Sequence, residues 1–262
     1  MKLEQVAAQL YTLRDFLETP DQVPQTLRKV REIGYAAVQL SGVKAEVPSS
    51  DFKKMIADAG LICCATHEPT TQILDEPMKV VERLKALGCK YTAVAHPGSI
   101  PLSTPAEVSD FARRINASGK VLAENGLYLT YHNHANEFYR VGNENAQGKT
   151  VIDIIYDETD PKYVGGEPDT YWVQYGGGDP VALCRKLRGR LPLIHLKDYT
   201  ATLGNQAMFC EVGYGNLNFP EIVREADAAG CEWFIVEQDT TPGDPFDSLK
   251  MSYDFIARNL VS

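Results

Sequence analysis

The 262-residue chain has no apolar run of the roughly eighteen residues that a membrane-spanning helix needs, so no membrane partner is expected. Its opening stretch, MKLEQVAAQLYT, lacks the apolar core of a secretory leader, and a cytoplasmic location is the expectation. No Lys/Arg cluster interrupts a composition of 26 basic and 35 acidic residues with formal net charge -9. Nothing in that balance tracks a phosphate backbone, and nucleic acid is not expected as a partner. None of the six cysteines (Cys63, Cys64, Cys89, Cys184, Cys210 and Cys231) forms a CxxC pair. A cysteine-rich zinc or iron–sulfur site is therefore unsupported, and free buried thiols fit better than a disulfide framework in a chain this long. No G-x-G-x-x-G follows the first apolar strand, and the glycine-rich stretches GYGNLNF and YGGGDP lack the Lys-Ser/Thr ending of a phosphate loop.

What is present is a phrase repeated five times: amphipathic helix, glycine, short apolar strand. The instances are LRKVREIGYAAVQL, FKKMIADAGLICCAT, VVERLKALGCKYTAVA, INASGKVLAENGLYLTYH and IVREADAAGCEWFIVE. Apolar residues recur at helical spacing before each glycine, as with Leu27, Val30 and Ile33. Gly34, Gly60, Gly88, Gly126 and Gly230 then read as left-handed residues that end a helix and turn the chain into a strand. With the flanking segments, the pattern predicts eight strands: Val6 to Leu10, Ala36 to Leu40, Leu61 to Ala65, Tyr91 to Ala95, Leu127 to Tyr131, Tyr163 to Gly165, Leu191 to Leu196 and Trp233 to Val236. A final helix is expected near Phe246 to Leu260. Eight such strands fit a closed α/β barrel, a (β/α)8 TIM barrel spanning 1–262 as one domain, better than an open sheet with two edges. Long loops after the fourth strand, HPGSIPLSTPAE, and the fifth, ANEFYRVGNENAQGK, are expected at the mouth, long enough to cover a substrate.

In such a barrel the C-terminal ends of the strands converge, so the residue that ends each apolar run faces one mouth. Those residues are Gln9 and Tyr11, Gln39, His67 with Glu68, His96, then His132, Asn133 and His134 with Glu137 beyond. Glu167 and Asp169 follow the sixth strand, His195, Lys197 and Asp198 end the seventh, and Glu237 and Asp239 end the eighth. All five histidines fall at strand ends and none on a predicted helix. Each alone has a bland reading, a histidine bonded to a carbonyl or a solvated loop acid. Together, several carboxylates aimed at one point would repel one another unless a cation lay between them. Oxygen ligands with an imidazole suit one divalent ion, Mn²⁺, Mg²⁺, Co²⁺ or Zn²⁺. Such an ion can hold two adjacent oxygens of a polyol or hydroxyketone and stabilise an enediolate, while one carboxylate removes a proton from carbon and another returns it.

With these residues in view, the chain resembles the sugar phosphate isomerase/epimerase superfamily, the xylose-isomerase-like TIM barrels. The resemblance rests on QLYTLRD at 9–15, GYAAVQLSG at 34–42, YHNHANEF at 131–138, DTYWV at 169–173, HLKD at 195–198, VGYGNLNF at 212–219 and VEQD at 236–239. It implies a metal held by Glu137, Asp169, His195 and Glu237, with His134 as the alternative first ligand. It also implies Glu237 as base and Glu137 as its partner, with Lys197 and His67 as further catalytic groups. Gln9, Tyr11, Gln39, His96, His132, His134 and Trp172 are then expected to bind the substrate. Three departures stand out: Thr130 and Tyr131 lie where the tagatose-3-epimerase-like branch carries its first glutamate, Trp172 replaces a histidine, and Tyr214 replaces a frequent glutamate. The leading expectation is a metal-dependent isomerase or epimerase of a sugar or related hydroxyketone. The alternatives are a lyase or dehydratase of an inosose or 3-keto-glycoside using the same base, and a non-catalytic carbohydrate-binding barrel. A nuclease like endonuclease IV needs more metal ligands and a surface for DNA. No heptad or unusually apolar helix marks a homo-oligomer contact on the outer ring.

Overall fold

The computed structural model describes residues 1–142 and 148–261. Eight parallel strands form the barrel wall: Val6–Gln9, Ala37–Leu40, Ile62–Glu68, Tyr91–Val94, Tyr128–His132, Val164–Glu167, Leu193–Leu196 and Trp233–Val236. Each pairs with the next except the sixth with the seventh, the first also pairs with the eighth, and the order confirms the expected (β/α)8 arrangement. The seam between the sixth and seventh strands is closed by single bonds. Gly166 N–H donates to Arg190 O at 2.7 Å, His195 N–H donates to Pro168 O at 2.9 Å, and Asp169 bridges His195 in parallel. The third strand runs three residues further than the apolar pattern predicts, carrying His67 and Glu68 inside the strand.

Alternation within each strand decides what is dry and what is polar. Val6, Ala8, Val38, Leu129, Ile194 and Phe234 belong to the large apolar layer packed against the helices. Ala7, Ala37, Cys64, Ala65, Tyr91, Leu193 and Ile235 form a second, small cluster inside the barrel. Two residues further along the same strands the inward positions become Gln9, Gln39, Glu167, His195 and Glu237, all buried. The barrel is thus apolar at its lower layer and polar at its upper one. Outside, the helix Gln22–Ile33 turns Val23, Leu27 and Val30 inward with no exposure, each side chain contributing roughly 1.5–3 kcal/mol of burial. The five predicted turn glycines all have positive φ, from 72° at Gly88 to 128° at Gly34. At Gly34 an added Cβ would also lie 2.5 Å from the Tyr253 ring.

The last helix, Pro245–Asn259, lies where expected. An antiparallel hairpin, Asp198–Ala201 with Ala207–Cys210, follows the seventh strand and has no counterpart in the apolar pattern. The loop after the fourth strand ends in a helix, Pro105–Glu124, whose start is fixed by a capping box between Thr104 and Glu107. The loop after the fifth strand makes a short turn at Asn136–Phe138, and its middle, 143–147, lies outside the described residues. Among the described residues no helix is long and apolar enough to cross a membrane. All six cysteines are free thiols.

Candidate functional site

Four side chains from the polar layer converge. His132, Asp169, His195 and Glu237 each offer one ligand atom, and these atoms all lie within 4.8 Å of one another. His132, His195 and Glu237 are delivered by their strands. Asp169 begins the short helix Thr170–Tyr175, where its Oδ1 accepts the Trp172 N–H at 3.1 Å. That cap leaves Oδ2 turned inward, 3.4 Å from Lys197 Nζ and 4.0 Å from His195 Nδ1.

Asp169 Oδ2 and His132 Nδ1 are buried without a hydrogen-bond partner. Unsatisfied buried polar atoms are costly, and two in one cluster of ligand atoms are what a cation would satisfy. The orientation of His195 agrees. Its Nε2 lies 2.7 Å from Gln39 Oε1, which already accepts the Gln9 amide at 2.9 Å, so Nε2 carries the hydrogen. Nδ1 then faces Glu237 Oε2 at 2.9 Å and is the nitrogen available to a metal. Fixing the ring through its other nitrogen is how metal-binding imidazoles are usually oriented.

A second group, His67, His132, Glu167 and His195, meets the same distance criterion and overlaps the first. Its chemistry differs because its acid is already satisfied. Glu167 Oε1 accepts the Gln39 amide at 2.5 Å and lies 3.1 Å from His195 Nε2, while Oε2 lies 3.1 Å from His67 Nε2. This layer supports the first group from below.

The charges are arranged accordingly. Burial works against the charged form of His195, but Glu167 and Glu237 outweigh it and favour a proton on Nδ1, which a cation bound there would displace. Burial favours protonated Glu237, yet Lys197 and His195 overcome it and hold the carboxyl below the usual range. Lys197 resists the effect of burial because Asp169, Glu237 and Asp239 surround it, the last at 2.7 Å. Burial raises Asp169 to about 6, against the pull of Lys197. Burial together with the neighbouring imidazoles keeps His132 neutral, the form a metal requires.

The remaining candidates divide clearly. Tyr11, His67, His96, His134, Lys197 and Glu237 line a mouth cavity of about 410 Å³ above the cluster. His96 also fixes its own turn, its Nδ1 accepting the Gly98 N–H at 3.0 Å. Gln9 and Gln39 are fully buried, bonded within the supporting layer and absent from the lining of the mouth cavity. Trp172 stands behind Lys197, whose Nζ lies 5.4 Å from its ring centre. Tyr214 is 57% exposed and packs toward Phe255.

Glu137 is outside both groups. Its carboxylate accepts the Tyr131 hydroxyl at 3.0 Å and the His134 N–H at 2.8 Å, in a fully buried position that closes the turn after the fifth strand. His134 does not take its place either. Its ring packs between His132 and Trp172, and burial, then Lys197, lowers it to about 4. The fifth-strand member of the cluster is His132, first assigned to substrate binding. The signal for it was alternation: His132 shares the inward face with Thr130, whereas Tyr131 points the other way. Asp198 is no rim group, because its carboxylate accepts the N–H groups of Tyr199, Gly213, Gly215 and Leu217. At Gly215 an added Cβ would fall 2.4 Å from Asp198 Oδ1, so the glycine-rich loop needs both residues.

A TIM barrel that gathers histidines and carboxylates at the C-terminal ends of its strands in this way is a metal-using enzyme. Residues 27–258 match the family described as the xylose isomerase-like TIM barrel, and the chain belongs to that family. It is 28% identical to the inosose dehydratase of Geobacillus kaustophilus (strain HTA426), over 92% of this chain and 87% of that protein. Two solved structures described as sugar phosphate isomerase/epimerase from Parabacteroides distasonis ATCC 8503 superpose with TM-scores of 0.82 and 0.81. They are 24% and 27% identical, covering 100% and 98% of this chain and 96% and 99% of theirs.

Proposed function

We propose that this chain is a divalent-metal-dependent lyase that eliminates water from a cyclic keto-polyol of the inosose type. The observation that carries this reading is the position of Glu137. Epimerisation requires a second group to return the proton to the opposite face of the same carbon, and Glu137 was the expected partner. It is bonded to Tyr131 and His134 away from the cluster. The other acids at the mouth are tied as well, Glu68 to Arg83 at 2.9 Å and Asp239 to Lys197 at 2.7 Å. Among the described residues Glu237 is the carboxylate of the ligand cluster that also lines the mouth cavity, and a single base suffices for elimination. The whole-length likeness to an inosose dehydratase supports the same choice.

His132, Asp169, His195 and Glu237 would hold the ion. Two imidazoles and two carboxylates make a borderline donor set, suited to Mn²⁺, Co²⁺ or Zn²⁺ more than to Mg²⁺, which prefers oxygen alone. When bound, the ion supplies Lewis-acid polarisation of a carbonyl oxygen. Glu237, kept ionised by Lys197 and His195, removes the proton beside the carbonyl. The C–H electron pair becomes a C=C bond, the C–O bond of the β-hydroxyl breaks, and the departing oxygen takes a proton and leaves as water. Lys197 and His67 are the groups on the mouth wall able to supply that proton. His67 is positioned by Glu167.

The test is incubation of the Mn²⁺-loaded protein with an inosose in deuterium oxide. The expected result is metal-dependent loss of one water, read by mass spectrometry. Exchange of the α-proton with retention of the hydroxyl would instead favour the isomerase or epimerase reading, and neither exchange nor loss of water would remove both.

A further inference from the structure

A lysine carries its charge on a long flexible stem, and when buried it needs opposite charge around it. The side chain of Lys197 is 2% exposed, and its ammonium lies 3.4 Å from Asp169 Oδ2, 3.2 Å from Glu237 Oε2 and 2.7 Å from Asp239 Oδ1. The first two are the oxygens turned toward His195 Nδ1, at 4.0 and 2.9 Å. The ammonium therefore rests on the same two oxygens that a cation held by the cluster would use. The third carboxylate differs. Asp239 is outside the cluster and, like Lys197, lines the mouth cavity. Behind the ammonium the space is closed, because Nζ lies 5.4 Å from the ring centres of both Trp172 and Phe209, the second carried by the hairpin strand Ala207–Cys210. The backbone of Lys197 is clamped as well, its N–H donating to Thr170 Oγ1 at 2.9 Å and its carbonyl accepting the Thr170 hydroxyl at 2.8 Å. The freedom left to the side chain runs along the row of carboxylates, from Asp169 and Glu237 to Asp239.

We propose that Lys197 is a built-in counter-cation for the metal ligands. It neutralises Asp169 and Glu237 in the metal-free protein and yields their oxygens to a bound divalent ion, its ammonium then resting on Asp239 at the mouth. This rests on the metal cluster of the proposed function and assigns Lys197 a role that precedes substrate binding. Two buried carboxylates without a cation repel each other, so the metal-free fold is stabilised by the lysine. The same positive charge opposes a divalent ion a few ångströms away, so it weakens metal binding. It also couples the two events, since the ammonium is released toward the mouth only when the ion takes its place.

The experiment is calorimetric titration of the metal-free full chain with Mn²⁺ at one pH and ionic strength, with thermal melting before and after loading. Lys197→Gln keeps a hydrogen-bond donor and removes the charge, and Lys197→Met removes both. Each is expected to bind Mn²⁺ at least about tenfold more tightly than the unaltered chain. Each should also melt lower without metal and rise further on loading. Asp239→Asn removes the resting place of the ammonium and should weaken Mn²⁺ binding by about threefold or more. Asp239 is at the mouth and partly exposed, so this variant decides the question if neither Lys197 variant folds without metal. Equal or weaker affinity in the folded Lys197 variants, or affinity undiminished in Asp239→Asn, would overturn the counter-cation role while the metal site stands. No uptake of Mn²⁺ by the unaltered chain would overturn the metal reading and this inference with it.

Discussion

The two ends of the barrel are made from the same strands and treat buried polarity in opposite ways. At the lower end, Arg190 reaches from the loop before the seventh strand and donates to the carbonyls of Tyr156 and Val164 and to Thr159 Oγ1, at 2.6–3.2 Å. Its neighbours Tyr91, Tyr128 and Leu193 belong to or pack on the dry layer. At the upper end, Asp169 Oδ2 and His132 Nδ1 are buried without a hydrogen bond, and a buried lysine stands among three carboxylates. The larger cavity, about 550 Å³ and lined by Arg190, is at the lower end, against about 410 Å³ at the mouth. Volume therefore does not mark the functional end. Unsatisfied polarity does, because a folded chain tolerates it only where something else supplies the missing interactions.

Two substitutions sharpen this contrast. Glu237→Gln should lower kcat by about a thousandfold or more, since general-base groups contribute roughly 10²–10⁴. Circular dichroism and melting should show the fold retained, and unchanged turnover would remove Glu237 as the base. At the other end, Arg190→Met keeps the aliphatic stem and removes donors from the carbonyls it serves. Denaturant unfolding should show a loss of about 2–4 kcal/mol, with kcat/KM of the folded protein unaltered. A loss of activity without a loss of stability would assign the lower end a role in the chemistry.

The barrel was legible because its signals are local. Apolar runs and turn glycines located all eight strands, and the observed ends differ by at most three residues. The sixth strand, VGGE, carries two glycines, and the structure shows why glycine serves there. An added Cβ at Gly165 would lie 2.5 Å from the Tyr128 ring, and one at Gly166 would lie 2.7 Å from Leu187 Cδ1, so neighbouring side chains occupy the space. The hairpin Asp198–Ala201 with Ala207–Cys210 was not legible, since its strands are four residues each and partly exposed, and the short apolar run AMFC follows no helix–glycine phrase.

For the site, strand ends bring His195 and Glu237 to the mouth, because a strand fixes both position and direction, and Asp169 reaches it from the start of the helix after the sixth strand. Glu137 lies five residues past its strand, and where such an acid lands depends on the path of the turn. Here the Tyr131 hydroxyl and the His134 N–H capture it. Asp198 was misread for a similar reason: its partners are backbone groups of a loop up to 19 residues away.

The central claim is that His132 supplies the fifth-strand ligand to a single cation and that Glu137 supplies none. Metal content of His132→Ala and Glu137→Gln, measured by elemental analysis after loading with Mn²⁺ and dialysis, tests it most directly. The expected result is one ion per chain in the unaltered protein and in Glu137→Gln, and near-complete loss in His132→Ala. Full occupancy in His132→Ala with loss in Glu137→Gln would contradict the account.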